Sequence, residues 1–240
     1  MQLIAWAALG WLVSVPLEAV ARRLAGEHRA VCPRCGRPEP GPAGSALLRA
    51  IGPAGPRCRG CGSWGICWLA GLGPALALIF GLLAHRWPPG RELWLTSLYA
   101  SLLLLVAVLD LRHRLVYPLL TYPATALAVA LTPLGLNQPA WSALAGGLAA
   151  AAAFLLFYLA AAALYRGGRA LGFGDVMIAG LVGAMTGLPS VGGVLTMGTL
   201  FGGFGAVLVG LARRSRRADF AYGPALCLAG LLALLAGPPA

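Results

Sequence analysis

Apolar runs of about 17 to 25 residues recur along the chain, separated by short polar or Gly/Pro-rich joints. They lie near 2–20, 66–85, 92–110, 118–135, 140–164, 174–188, 191–212 and 219–237. Each is long enough to cross a hydrocarbon core of roughly 30 Å. Lipid offers no partner to an open backbone, so each run is predicted to be a helix. The expected fold is an all-α polytopic membrane protein with about eight transmembrane helices.

Residues 21–65 break the pattern, being rich in Arg, Gly, Pro and Cys with little apolar periodicity. The chain thus divides into a first transmembrane helix at 1–20, a cytosolic loop module at 21–65 and a multi-helix membrane core at 66–240. The first run has no basic residue before it and Arg22 and Arg23 after it, the reverse of a secretory signal peptide, so it is expected to stay in the mature protein. The later runs are crowded with small residues, as in "ALAGGLAAAAAF" at 143–154 and "LFGGFGAVLVG" at 200–210. Such spacings let helices approach closely in lipid, and helix packing is the role assigned to them.

Composition agrees: 59% hydrophobic, 10% charged, mean hydropathy +0.81. A net charge of +11 raises the question of nucleic acid, and its distribution answers it. All 18 basic residues are arginines, and with the amino terminus outside, sixteen fall in the interior segments 21–65, 111–117, 165–173 and 213–218. Only Arg86 and Arg91 fall outside. That bias orients a polytopic protein and favours contact with anionic membrane lipids, so no nucleic-acid partner is expected.

Four of the six cysteines form "CPRC" and "CRGC": Cys32, Cys35, Cys58 and Cys61, two pairs 22 residues apart. Two such knuckles supply four thiolates to one tetrahedral Zn²⁺. A cytosolic loop keeps its thiols reduced, which disfavours disulfides. The zinc expected here is structural, because four cysteines leave no open coordination position. Cys67 and Cys227 read as small buried hydrophobes, and His28, His85 and His113 are too scattered to form a metal site.

The seven acids are Glu18, Glu27, Glu39, Glu92, Asp110, Asp175 and Asp219. Glu27, Glu39, Glu92 and Asp219 read as surface charges, and Glu18, near the inner end of the first run, has no assigned role. Asp110 ends "LYASLLLLVAVLD" and Asp175 follows the turn "GFG" at 172–174. Two predicted helices intervene, an even number, which returns the chain to the same membrane face. An ionisable group at that depth usually faces a cavity or partner. Two neighbouring carboxylates share a proton, one ionised and able to take a proton from water, the other neutral and able to polarise a scissile carbonyl. Gly172 and Gly174 would let the backbone turn and an extended peptide approach. Intramembrane acids also serve as proton or cation sites, so a transporter or scaffold using Asp110 and Asp175 in that way is the alternative reading.

These residues resemble the type IV prepilin peptidase family, membrane aspartic proteases with a G-x-G-D motif. "VLDLRHRLVYPLLTYP" is similar to the family's first acidic segment, "GFGDVMIAGLVGAMTGLP" to its second, and "YGPALCLAG" at 222–230 to a Gly-Pro motif in its last helix. The paired C-x-x-C loop after the first run matches too. The resemblance implies that Asp110 and Asp175 are the catalytic pair, cleaving the short basic leader of prepilin or pseudopilin substrates at the cytosolic face of the bacterial inner membrane. It also brings in N-methylation of the new amino terminus with S-adenosylmethionine, an activity linked in the family to the soluble loop. Glu18 or the aspartates suit contact with a basic leader better than the arginines do. The chain departs from the family at Tyr117 and Pro118, where Pro then Asp or Asn is usual, and at Met177, where a lysine commonly stands. The family's Asn-and-Arg stretch after the first span is barely visible in "PLEAVARRLAGEHRA".

Overall fold

A computed structural model describes residues 2–24, 72–136, 138–164, 172–188, 190–213 and 222–237. Among the described residues the chain is all-helical. The helices are α1 (Gln2–Leu24), α2 (Leu72–Arg86), α3 (Arg91–His113), α4 (Pro118–Gly135), α5 (Ala140–Leu164), α6 (Phe173–Thr186), α7 (Ser190–Arg213) and α8 (Gly223–Ala236). Beyond Leu24 the loop module, including Cys32, Cys35, Cys58 and Cys61, lies outside the described residues, as do Glu27, His28, Glu39, Cys67 and Asp219.

Gln2–Ala21, Arg91–His113, Ala140–Leu164 and Ser190–Val209 are long and apolar enough to cross a membrane, which fits an integral membrane protein. The eight expected crossings thus resolve into these four and four shorter apolar helices. The shortness of α6 has a physical reason. Its 14 residues span about 21 Å at about 1.5 Å per residue. Every residue from Asp175 to Thr186 is buried, against α4, α5, α7 and α8, so it has little lipid-facing surface to match to the bilayer.

The chain forms two compact units, Met1–His85 and Arg86–Ala240. In the first, α1 and α2 approach at Gly10, where a Cβ would stand 2.6 Å from the Leu76 carbonyl oxygen. Glu18, on α1, is buried.

The second unit is built around α6. Its most extensive partner is α5, and the small residues predicted for packing make that possible. A Cβ at Gly146 would stand 2.6 Å from the Gly183 carbonyl, and one at Gly183 would stand 2.6 Å from the Ala150 methyl. On the other side, α8 packs against α3, α6 and α7. Buried hydrogen bonds tie α3, α4 and α6: the Tyr99 hydroxyl donates to the Ala128 carbonyl (3.1 Å) and lies 2.8 Å from the Thr132 hydroxyl, which donates to the Ala184 carbonyl (3.3 Å). The carboxyl end of α8 is held by Arg86, whose guanidinium donates to the carbonyls of Leu235 and Ala236, and by the Trp87 indole N–H, which donates to the Leu234 carbonyl. These bonds satisfy carbonyls left over at a helix end.

Candidate active site

Asp110 sits in the last turn of α3, where its carbonyl accepts the backbone N–H of Arg114 at 2.8 Å. Arg114 adopts left-handed backbone geometry (φ 52°) as it ends the helix, and its guanidinium lies within electrostatic reach of Asp110. Turning the chain so sharply at a non-glycine residue carries a steric cost, and the capping bond offsets part of it.

Asp175 occupies the third position of α6. The Gly172 N–H donates to its Oδ2 at 3.1 Å, while the Asp175 N–H donates to the Gly172 carbonyl at 3.1 Å. This reciprocal pair satisfies two of the donors every helix start leaves open. It also fixes the carboxylate beside the positive end of the helix macrodipole.

The structure brings the two aspartates together. Asp175 lies within electrostatic reach of Asp110, and Cys227, on α8, lies within reach of both. Both acids are buried, Asp110 with 6% and Asp175 with 8% of its surface exposed. Each accepts one backbone N–H at the start of a helix: Asp175 from Gly172, and Asp110 from Gly223, the first residue of α8. Thus the starts of α6 and α8 converge on the end of α3.

In the sequence Gly223 stands out only as part of a Gly-Pro run, which by itself implies no role. A Cβ there would stand 2.5 Å from Asp110 Oδ2 and 2.6 Å from Ile178 Cδ1, so a larger residue would collide with both α3 and α6. Pro224 follows at a position where a helix needs no N–H, which presets the first turn of α8. Before it, Tyr222 donates its hydroxyl to the Thr199 carbonyl of α7 at 3.0 Å and lies within electrostatic reach of Asp175. Its ring covers Gly202, one of the small residues expected to serve packing.

The two glycines of the G-x-G-D run have different surroundings. Gly172 has φ −87°, and a Cβ there would make an ordinary 3.6 Å contact with Asp175 Oδ2. Gly174 is crowded: a Cβ would stand 2.5 Å from Val116 Cγ2. Between them Phe173 is exposed and meets Tyr158 of α5 edge-on, ring centroids 6.1 Å apart. Cys227 is free and fully buried, the small hydrophobe its place in an apolar run suggested.

Residues 97–211, which include both aspartates, match the type IV leader peptidase family. The chain is 28% identical to the prepilin leader peptidase/N-methyltransferase of Bacillus subtilis (strain 168) over 186 residues, 75% of this chain and 71% of that protein. It is 29% identical to the prepilin leader peptidase/N-methyltransferase of Aeromonas salmonicida (strain A449) over 214 residues, 87% of this chain and 72% of that protein. No solved structure matches the chain significantly. The matched segment spans both acids and the two relatives are named as peptidases, so over residues 97–211 the chain is similar to the type IV leader peptidase family, and this similarity supports a protease.

Proposed function

We propose that this protein is a prepilin leader peptidase, an intramembrane aspartic endopeptidase. It cuts the short basic leader from type IV prepilin-like or pseudopilin substrates at the cytosolic face of the bacterial inner membrane. The observation that carries the reading is the meeting of Asp110 and Asp175: two buried acids from separate helices, within electrostatic reach of each other and each accepting a backbone N–H.

The chemistry follows from that pairing. One carboxylate, ionised, accepts a proton from a water as its oxygen attacks the scissile carbonyl carbon. The other, protonated, donates a hydrogen bond to the carbonyl oxygen and stabilises the charge that develops there. As the tetrahedral intermediate collapses, the C–N bond breaks, the leaving nitrogen takes a proton, and the pair returns to its singly protonated state. Burial excludes bulk water and strengthens both interactions.

Cys32, Cys35, Cys58 and Cys61 are proposed to hold a structural Zn²⁺, on the strength of their spacing. The arginine bias supports contact with anionic lipid and gives no reason to invoke nucleic acid. The two relatives are also named N-methyltransferases, and methylation of the new amino terminus with S-adenosylmethionine is proposed as a second activity on the same product.

The test is incubation of the purified full-length protein, in liposomes, with a prepilin-derived substrate, followed by mass measurement of the products. A product shortened by the leader supports the peptidase reading, and a further mass of one methyl group when S-adenosylmethionine is present supports the second activity. Intact substrate across a panel of prepilin-like sequences would reject the proposed substrate class.

A further inference from the structure

Val116 lies half-buried in the turn between α3 and α4, against the second glycine of the G-x-G-D run. A Cβ at Gly174 would stand 2.5 Å from Val116 Cγ2 and 2.9 Å from Val116 Cβ, both closer than van der Waals contact permits. The valine side chain therefore occupies the space a residue larger than glycine would need. Valine is suited to this, because branching at Cβ restricts it to few rotamers.

The contact lies between the two acids along the chain. Asp110 is six residues before Val116, and the Arg114 N–H bond to the Asp110 carbonyl closes the path between them. Asp175 directly follows Gly174, and its carboxylate is held by Gly172. A shift of Val116 against Gly174 would thus be transmitted through short, hydrogen-bonded segments to both carboxylates. On the opposite side, Gly223 fits between Asp110 and Ile178. The pair is keyed on two sides, by a turn and by a helix start.

Resting on the reading of Asp110 and Asp175 as the acid–base pair, we propose that Val116 is a positioning residue for the peptidase reaction. Its isopropyl group, seated at Gly174, holds the α3–α4 turn against the start of α6 and sets the separation of the two carboxylates. Proton transfer through a shared water requires both groups within hydrogen-bond reach, and a misplacement of about 1 Å costs on the order of a hundredfold in rate.

The test is an exchange of side-chain volume between the two positions in the full-length protein in liposomes, reading kcat and KM with a prepilin-derived peptide. Gly174→Ala is expected to lower kcat about tenfold or more with KM nearly unchanged. Adding Val116→Gly to it is expected to restore most of the lost kcat, because the opposing side chain is gone. Val116→Ala alone, which only trims a turn residue, is expected to lower kcat about threefold and keeps the proposal open to rejection even where Gly174→Ala fails to fold. Full kcat in Val116→Ala, or a double variant no faster than Gly174→Ala while its thermal midpoint matches the wild type, would overturn the proposal. Asp110→Asn and Asp175→Asn, run in parallel, separate the two readings: full activity in those variants rejects the acid pair, whereas the ratio of double to single variant reports on Val116.

Discussion

The backbone N–H of Gly223 donates to the carboxylate of Asp110, and the absence of a side chain at 223 permits the approach. A methyl group there would stand 2.5 Å from Asp110 Oδ2 and 2.6 Å from Ile178 Cδ1. Gly223→Ala is expected to push α8 away from α3 and α6 and lower kcat for leader cleavage by about a hundredfold. Because the change acts on positioning, KM should move much less. Steady-state kinetics on protein whose elution and thermal midpoint match the wild type would check this, and an unchanged kcat would show that α8 does not set the carboxylate.

If Asp110 and Asp175 share one proton and act together, neither works alone. Asp110→Asn and Asp175→Asn are each expected to cut cleavage by about a thousandfold or more. The double variant should be little worse than either single one, since residues acting as a unit are strongly non-additive. Neither change alters side-chain size appreciably, so insertion and folding should persist. The measurement is product formation by mass, and additive losses in the double variant would argue for two independent roles.

The carboxyl end of α8 depends on groups far from the acids. The Trp87 indole N–H, from a side chain 8% exposed, donates to the Leu234 carbonyl at 3.0 Å, and Arg86 donates to the carbonyls of Leu235 and Ala236. Trp87→Phe leaves a helix-end carbonyl without that donor and is expected to cost about 1–3 kcal/mol. Arg86 is exposed, so Arg86→Ala should cost about 1 kcal/mol or less after solvent screening. A lowered thermal midpoint with nearly full kcat well below it is the expected result. A matching loss of kcat at low temperature would mean this end of α8 also governs the site.

How much of this arrangement was visible in the sequence depended on whether it leaves a periodic or compositional trace. The apolar run near 140–164 coincides with α5, Ala140–Leu164, because no charged residue interrupts it. Asp110 and Asp175 stood out because acids are scarce in a chain this apolar. The enclosure of α6 was not legible, since an apolar run facing lipid and one facing other helices look alike. Nor was the role of Gly223, which acts through its backbone N–H and its missing side chain. Val116 sits in a mixed turn, where a single valine carries no pattern, and only its proximity to Gly174 reveals it. The expectation that Gly172 and Gly174 together admit a substrate backbone treated both alike, whereas the space beside Gly174 is taken by Val116.

The cysteine module offers a prediction that does not depend on the aspartates. Two C-x-x-C pairs separated by 22 residues match a closed four-thiolate site. A segment this polar has little apolar surface to bury and would draw its folding free energy from the metal. Elemental analysis of the purified protein should therefore find about one zinc per chain. A Cys32→Ser, Cys35→Ser double variant should lose it, because two thiolates cannot complete a tetrahedral site. Segment 21–65 also carries eight arginines, so limited trypsin digestion should cut the double variant there faster than the wild type. Zinc content and trypsin sensitivity ought to change together. A wild type purified without chelator that holds no zinc, or a double variant that keeps it, would reject the site whatever the peptidase assay reports.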